Sequence, residues 1–405
     1  MTGKEALMYD YILKGTVIDG IHETPIENGL VAISGNTIAY VGSAEGFEIP
    51  AEATVVEGKT ILPGFIDCHI HLCGEEDVCD GPAFGDTLLA AAYHCGLLID
   101  SGFTSVRDMS EQGTYLTRAQ KMGTLRGPRI MPGGKCLSVT AGHGDDGHNM
   151  TKEEINQKSS TCFLCDGPAE CLQAVRQQFR KGAEFIKIFA TGGVSSPTDG
   201  VDDVQFSMEE LEAIVAEAKR HHSYVAAHCT GNEGAYQALL AGVECIEHGV
   251  MLTQREIDLM AEKNIPLVST LFVSELCSKL KGPQWFMDKA SKCYAANVNT
   301  IAMARKAGIR IAFGTDFSNS KNTSYRKEGQ EFEAMVRAGM TPWEAIQAGT
   351  INAAHVMRKA DKLGSLEVGK LADIVIADGD PLADISVLAD ASHITAVFQD
   401  GKRLK

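Results

Sequence analysis

Between residues 62 and 360 the chain repeats one alternation: a short apolar segment of strand length, then a longer stretch with apolar residues at helical spacing. The strand candidates are GFIDCHIHL, TSVRDM, RIMPGG, FIKIFATGG, YVAAHC, CIEHG, PLVSTL and IRIAFGTD. Helical patterns such as SMEELEAIVAEAKRHH and TQREIDLMAEKN lie between them. Ser207 ahead of Met208-Glu209-Glu210 has the arrangement of a capping box. Strands alternating with helices in this number predict an α/β fold, a (β/α)8 barrel of the TIM type. A doubly wound sheet is the competing architecture, but its Gly-rich dinucleotide turn after the first strand is absent.

The two ends have a different texture. Both read as short strands broken by Gly and Asp, with a hairpin signal at Ser34-Gly35-Asn36. One small β-sandwich domain built from residues 1–61 and 362–405, around a barrel of 62–361, is expected. With 37 Lys+Arg against 53 Asp+Glu the formal net charge is −16, which argues against nucleic acid and against a polybasic membrane contact. No apolar run reaches the ~18 residues of a membrane span. The start, MTGKEALMYDYILKGTVIDG, has acidic residues where a signal peptide needs its apolar stretch. The expectation is a cytoplasmic protein whose 12 cysteines are free thiols packed as small hydrophobes.

The chemistry concentrates at the carboxyl ends of the strand candidates, where a barrel collects its active site. In Asp67-Cys68-His69-Ile70-His71 the alternation of a strand puts His69 and His71 on one face and Cys68 on the other. His228, His248 and Asp316 each end a later strand, and imidazole plus carboxylate suits zinc or a similar divalent ion. Lys187 lies between Ile186 and Ile188 in an otherwise apolar strand and should point into the barrel. A buried ammonium is costly. Either Lys187 pairs with an interior carboxylate, or it is a neutral amine carboxylated by CO2 to a carbamate able to bridge two metals.

Together with the exit GSLEVGKLADIVIADGDPL, these residues resemble the amidohydrolase superfamily over essentially the whole chain. KIFATGGVSSPTD, QFSMEELEAIVAEA, IEHGVML and AGMTPWEAIQAGTINAA resemble its imidazolonepropionase-like branch, which contains binuclear zinc prolidases, Xaa-Pro dipeptidases and carboxypeptidases. The resemblance implies two divalent metal ions, most often Zn2+. His69, His71 and Asp316 would hold one, His228 and His248 the other, with carboxylated Lys187 and a hydroxide bridging them. Asp316 would move the proton, and His143, in SVTAGHGDDG, would contact the substrate carbonyl oxygen. The implied reaction is hydrolysis of an amide bond in a small substrate, a dipeptide or an N-acyl amino acid, by a homo-oligomer. Thr230 stands where the prolidase group often has a tyrosine, a departure in the substrate contacts. A deaminase or a hydrolase of cyclic amides, ureides or imidazolones is the alternative. Many deaminases carry a glutamate where this chain has Gly231, and commonly lack the lysine. A catalytically silent scaffold would usually have lost ligands that are all present here.

Other candidates rank lower. Cys162, Cys165 and Cys171 lack a second ligand pair at zinc-ribbon spacing and are expected as free thiols in a loop and helix start. Arg107 and Asp108 end the second strand as a buried ion pair near the site or as substrate contacts. His148 is expected in solvent, His221 and His222 at a helix end, and His355 in a structural helix. Ala190–Gly193 lacks the phosphate-loop pattern and would let backbone approach the metals. Lys321, Arg326 and Lys327 lie in a polar loop after the last strand.

Overall fold

A computed structural model describes residues 9–73, 84–145, 147–318, 320 and 322–405. The chain opens with β1 (Tyr11–Val17), β2 (Ile26–Ser34), β3 (Thr37–Ser43) and β4 (Thr54–Pro63). The middle carries β5 (Phe65–Ile70), β6 (Phe103–Asp108), β7 (Arg129–Pro132), β8 (Cys136–Ser138) and β9 (Cys162–Leu164). It continues with β10 (Ile186–Phe189), β11 (Val225–Cys229), β12 (Cys245–His248), β13 (Leu267–Ser269) and β14 (Ile311–Phe313). The chain closes with β15 (Ile374–Ala377), β16 (Ile394–Gln399) and β17 (Lys402–Arg403).

Both ends enter one sheet, ordered β17-β16-β15-β4-β1-β2-β3. The stitch between them is the antiparallel pairing of β15 with β4, where Val375 faces Leu62. Side chains alternate along each strand, so one face collects Leu13, Val31, Ile61, Ile376 and Phe398 into a single apolar cluster. Tyr11 on β1 packs edge-on against Phe398 on β16, ring centroids 5.1 Å apart, although two strands separate them in the sheet. Thr37 bridges Leu371, so the sheet rolls until β3 meets the segment entering β15. The sandwich-like core is thus made by one rolled sheet.

The middle strands are parallel and form two arcs, β5-β6-β7 and β14-β13-β12-β11-β10-β8-β9. At one seam, Gly133 N donates to Asp108 O and Glu184 N donates to Pro132 O, so the segment holding β7 and β8 touches both arcs. At the other, Asp316 N donates to His69 O at 2.7 Å and His71 N to Phe317 O at 2.8 Å. All eight strand candidates are strands. The third continues past a break at Gly133–Lys135, where Gly134 takes φ +70°, into β8, and β9 was not foreseen. Cys162 therefore starts a strand rather than a loop; three residues are too few for an apolar pattern to register.

Helices cover the outside of the arcs. The helix Met208–Arg220 starts as expected: Ser207 Oγ accepts from Glu210 N and the Glu210 carboxylate accepts from Ser207 N. Ile66 and Cys68 face the opposite side of β5 from His69, into a cluster with Ala353, Ala354 and Met357, and Cys68 Sγ lies 3.5 Å from Ala353 O. Among the described residues no helix is long and apolar enough to cross a membrane. Their cysteines are free, and the Sγ atoms of Cys165 and Cys171 are 3.6 Å apart.

Candidate metal centre

Strand alternation turns His69 and His71 inward from the end of β5, ring centroids 5.6 Å apart. The rings continue in a chain: His69 to His248, His248 to His228 and His228 to His143, each 4.7 Å between centroids. His71 Nε2 lies 3.1 Å from Asp316 Oδ1. Lys187, fully buried on β10, lines the same cavity of ≈ 360 Å³ as these histidines and Asp316, with its Nζ 5.3 Å from the Phe189 ring centre. The lysine and all five expected imidazole and carboxylate ligands thus come together.

Their backbone is unusual. His248 has φ +65° and Asp316 φ +58°, left-handed values that cost an ordinary residue about 1–3 kcal/mol and gather at functional sites. At Asp316 the bond from its N–H to His69 O holds the turn. At His248 the turn breaks the strand alternation, so Glu247 and His248, though adjacent, both reach inward.

Glu247 is the residue that strand reading missed. Its carboxylate accepts from His69 Nδ1 at 2.7 Å and from Arg107 at 2.5 Å, all three groups fully buried. Burial pushes the Glu247 carboxyl up, but Arg107 and then His69 more than reverse this and hold it far below the carboxylate range. A carboxylate only accepts, so the His69 proton sits on Nδ1 and the Nε2 lone pair faces the site. That Nε2 is buried, makes no hydrogen bond, and lies 3.3 Å from Asp316 Oδ1. Two electron-pair donors facing each other at this distance repel unless a cation joins them. His69, His248 and Asp316 each bring one ligand atom within 4.8 Å of the others. This trio crosses the partition implied by the family resemblance, which put His248 on the second ion.

The other imidazoles are also fixed. His248 Nδ1 lies 2.7 Å from Thr270 Oγ1. His228 Nε2 faces Gly192 O at 3.2 Å and Thr230 Oγ1 at 3.1 Å. The carbonyl can only accept, so Nε2 bears the proton and Nδ1 the lone pair. Burial, first of all, holds His71, His228 and His248 below the ordinary histidine range, in the neutral form that ligates metal. The donor set and the orphaned Nε2 fit a bound divalent cation.

A second, narrower cavity of ≈ 120 Å³ opens beside this one, sharing His143, His228, His248 and Asp316. Its far wall is apolar: Val194, Val250, Val273, Phe286 and Ala290. Thr230 lines it too. His143 borders both cavities, its Nδ1 3.1 Å from Asp199 Oδ2.

Arg107 is corrected. It is fully buried beneath the site and borders neither cavity, with Nε on Cys68 O at 2.6 Å and the rest of the guanidinium on Glu247 and Tyr224. It is an ion-pair partner of Glu247, not a substrate contact. Asp108 does not pair with it, because adjacent strand residues face opposite sides; it accepts from Leu72 N, Ser110 and Gly113 N. Gly193 is small to admit the His143 ring, since a Cβ there would fall 2.3 Å from Nε2, while Gly192 O faces His228. His148, Arg326 and Lys327 are exposed, and Lys321 lies outside the described residues. His221 caps its helix and stacks on Phe179; His355 is exposed on a short helix.

The sequence profile of the Amidohydrolase family matches residues 60–404. The ochratoxinase of Aspergillus niger is 34% identical over 97% of this chain and 86% of its own length. Its crystal structure superposes with a TM-score of 0.87, covering 98% of this chain and 95% of that one, at 32% identity. A prolidase solved in complex with N-methylphosphonate-L-proline gives a TM-score of 0.89 at 30% identity over 98% and 99% of the two chains. The imidazolonepropionase of Bacillus cytotoxicus is 25% identical over 93% of this chain and 89% of its own length.

Proposed function

The chain belongs to the amidohydrolase family, and from that membership we propose that it is a binuclear metal hydrolase cleaving an amide bond in a dipeptide or an N-acyl amino acid with an apolar side chain. The observation that carries this reading is the union of a cation-seeking cluster, His69, His248 and Asp316, with an apolar-walled cavity beside it. His69, His71, His228, His248 and Asp316 would hold two divalent ions, Zn2+ by the chemistry of the donors, with Lys187 carboxylated between them. Lys187 is fully buried in the cavity that these side chains line, so a carbamate formed on it would lie among them. When bound, such ions polarise the scissile carbonyl and make water a nucleophile near neutral pH.

The chain's own residues do the rest. Asp316, at the cavity floor, accepts the proton of the attacking water and returns it to the leaving nitrogen, so an amide and water become a carboxylic acid and an amine. His143, once protonated, donates from Nε2 to the oxygen on which negative charge develops. Val250, Val273 and Phe286 exclude water from the substrate's apolar group. The two arcs of strands belong to one closed (β/α)8 barrel in this reading, with residues 1–61 and 362–405 as its companion domain. A homo-oligomer in the cytoplasm, where thiols stay reduced, completes the proposal.

The test is a substrate panel on the zinc-loaded protein: dipeptides and N-acyl amino acids with Phe, Leu, Glu or Lys side chains, ureides and lactams. The apolar amino acids should give the highest kcat/KM, and Asp316→Asn should lower kcat about 10²-fold or more. Turnover confined to ureides or lactams, or a preference for Glu or Lys, would overturn the reading.

A further inference from the structure

We propose that Asp199 and Lys289 are positioning residues for His143: Asp199 fixes which ring nitrogen carries the proton, and Lys289 locks the loop that holds the pair. The inference concerns the site just described and, for its kinetic arm only, rests on the amide-hydrolase reading.

Four groups converge on Asp199. Its Oδ2 receives His143 Nδ1 at 3.1 Å, Gly193 N at 3.0 Å and Gln205 Nε2 at 3.4 Å. Its Oδ1 lies 3.1 Å from Lys289 Nζ. The carboxylate is 2% exposed. Burial pushes it up, but His143 and Lys289 hold it below the ordinary range, so it is an ionised acceptor. Facing an acceptor, Nδ1 of His143 must bear a proton, and Nε2 lies 3.5 Å from the Oγ of Ser195, which with His143 lines both cavities.

Lys289 is an unusual partner. Its ammonium reaches Gly193 O at 3.0 Å, Ser196 O at 2.7 Å and Asp199 O, besides the Asp199 carboxylate. One cation therefore gathers three carbonyls of the 193–199 loop, each an acceptor the loop itself leaves unpaired by any helix or strand. The loop has to be held closely. Gly193 backs the His143 ring so tightly that no side chain fits there. Lys289 also belongs to the helix Gln284–Lys306, whose Phe286, Ala290 and Cys293 form the wall of the apolar cavity. The element that feels the substrate's apolar group is thus the one that sets the His143 loop.

The experiment uses full-length, zinc-loaded protein with 15N-labelled histidine rings. His143 is identified as the signal absent from His143→Gln. The wild type should show His143 protonated at Nδ1. Asp199→Asn, whose amide can donate as well as accept, should populate the Nε2–H tautomer, with zinc content unchanged. On an N-acyl-phenylalanine substrate its kcat should fall about 10²–10⁴-fold, because a neutral amide no longer stabilises the doubly protonated His143 that donates from Nε2, while KM moves less than about twofold. Lys289→Met retains the carboxylate, so it should keep the Nδ1–H tautomer and instead raise KM. A wild-type His143 protonated at Nε2, or an Asp199→Asn enzyme with unchanged kcat, would overturn the proposal. If the wild type hydrolyses nothing in the panel, the function reading fails, and the tautomer signals still decide the role of Asp199.

Discussion

Glu247 shows at one residue how the candidate metal centre is held. It orients His69, fixes its tautomer and neutralises a fully buried Arg107. Outer partners of this kind typically hold metal affinity at a cost of about 10–100-fold when lost. Removing one member of a buried pair also costs about 3–5 kcal/mol, because the other charge stays buried and unpaired. Glu247→Gln should therefore weaken zinc binding in a chelator competition by about that 10–100-fold factor and lower stability to urea by a few kcal/mol. Unchanged affinity would show that His69 does not need the carboxylate. Residue by residue, the gathering of His69, His71, Lys187, His228, His248 and Asp316 around one cavity was legible in the sequence, because each sits at a strand end or interrupts an apolar run. Glu247 was not, because it hides behind His248: the left-handed turn at His248 breaks the alternation by which its neighbour would point away. Asp199 and Lys289 were illegible for another reason. They meet across 90 residues of chain, and no local pattern marks the meeting.

At the scale of elements, the strands were legible and their irregularities were not. Apolar runs bounded by Gly and Asp mark β5, β6, β10, β11 and β12 plainly, and the capping box at Ser207 marks a helix start. The break between β7 and β8 depends on a glycine at positive φ, and β9 depends on pairing with β8 rather than on its own three residues. One buried element end has a measurable consequence. Glu331 accepts from Ser269 Oγ, Leu271 N and Phe272 N, and so clamps the start of the helix Leu271–Lys279 onto the end of β13. Burial, the largest influence, pushes its carboxyl up to about 8 from the ordinary 4.5. Between those values the folded chain holds a proton that the unfolded chain releases, so this contribution is fully present below pH 4.5 and is lost as the pH rises to about 8. Urea unfolding between pH 5 and 8 should show stability falling with pH, with a shallower slope in Glu331→Gln. An identical slope in the variant would remove Glu331 from the account.

Across the whole molecule, the chain's two ends meet in one rolled sheet that docks beneath the parallel arcs. Arg129, on β7, binds Asp373 at 2.7 Å and Asp400 at 2.8 Å, tying the arc to the strands that arrive last. Strand-like texture marks both ends of the sequence, and both ends enter the same sheet. That the terminal unit is one rolled sheet was not legible, since rolling depends on contacts such as Tyr11 with Phe398, nearly the whole chain apart. The formal net charge of −16 includes carboxylates that are fully buried, among them Glu247, Glu328 and Glu331. The central claim is that the candidate metal centre holds two metal ions with Lys187 between them. Elemental analysis of protein purified with excess zinc and then desalted tests it most directly. The account predicts about two divalent ions per chain, falling below one in Lys187→Ala. A wild type with one ion or none, or a Lys187→Ala variant that keeps the full complement, would contradict it.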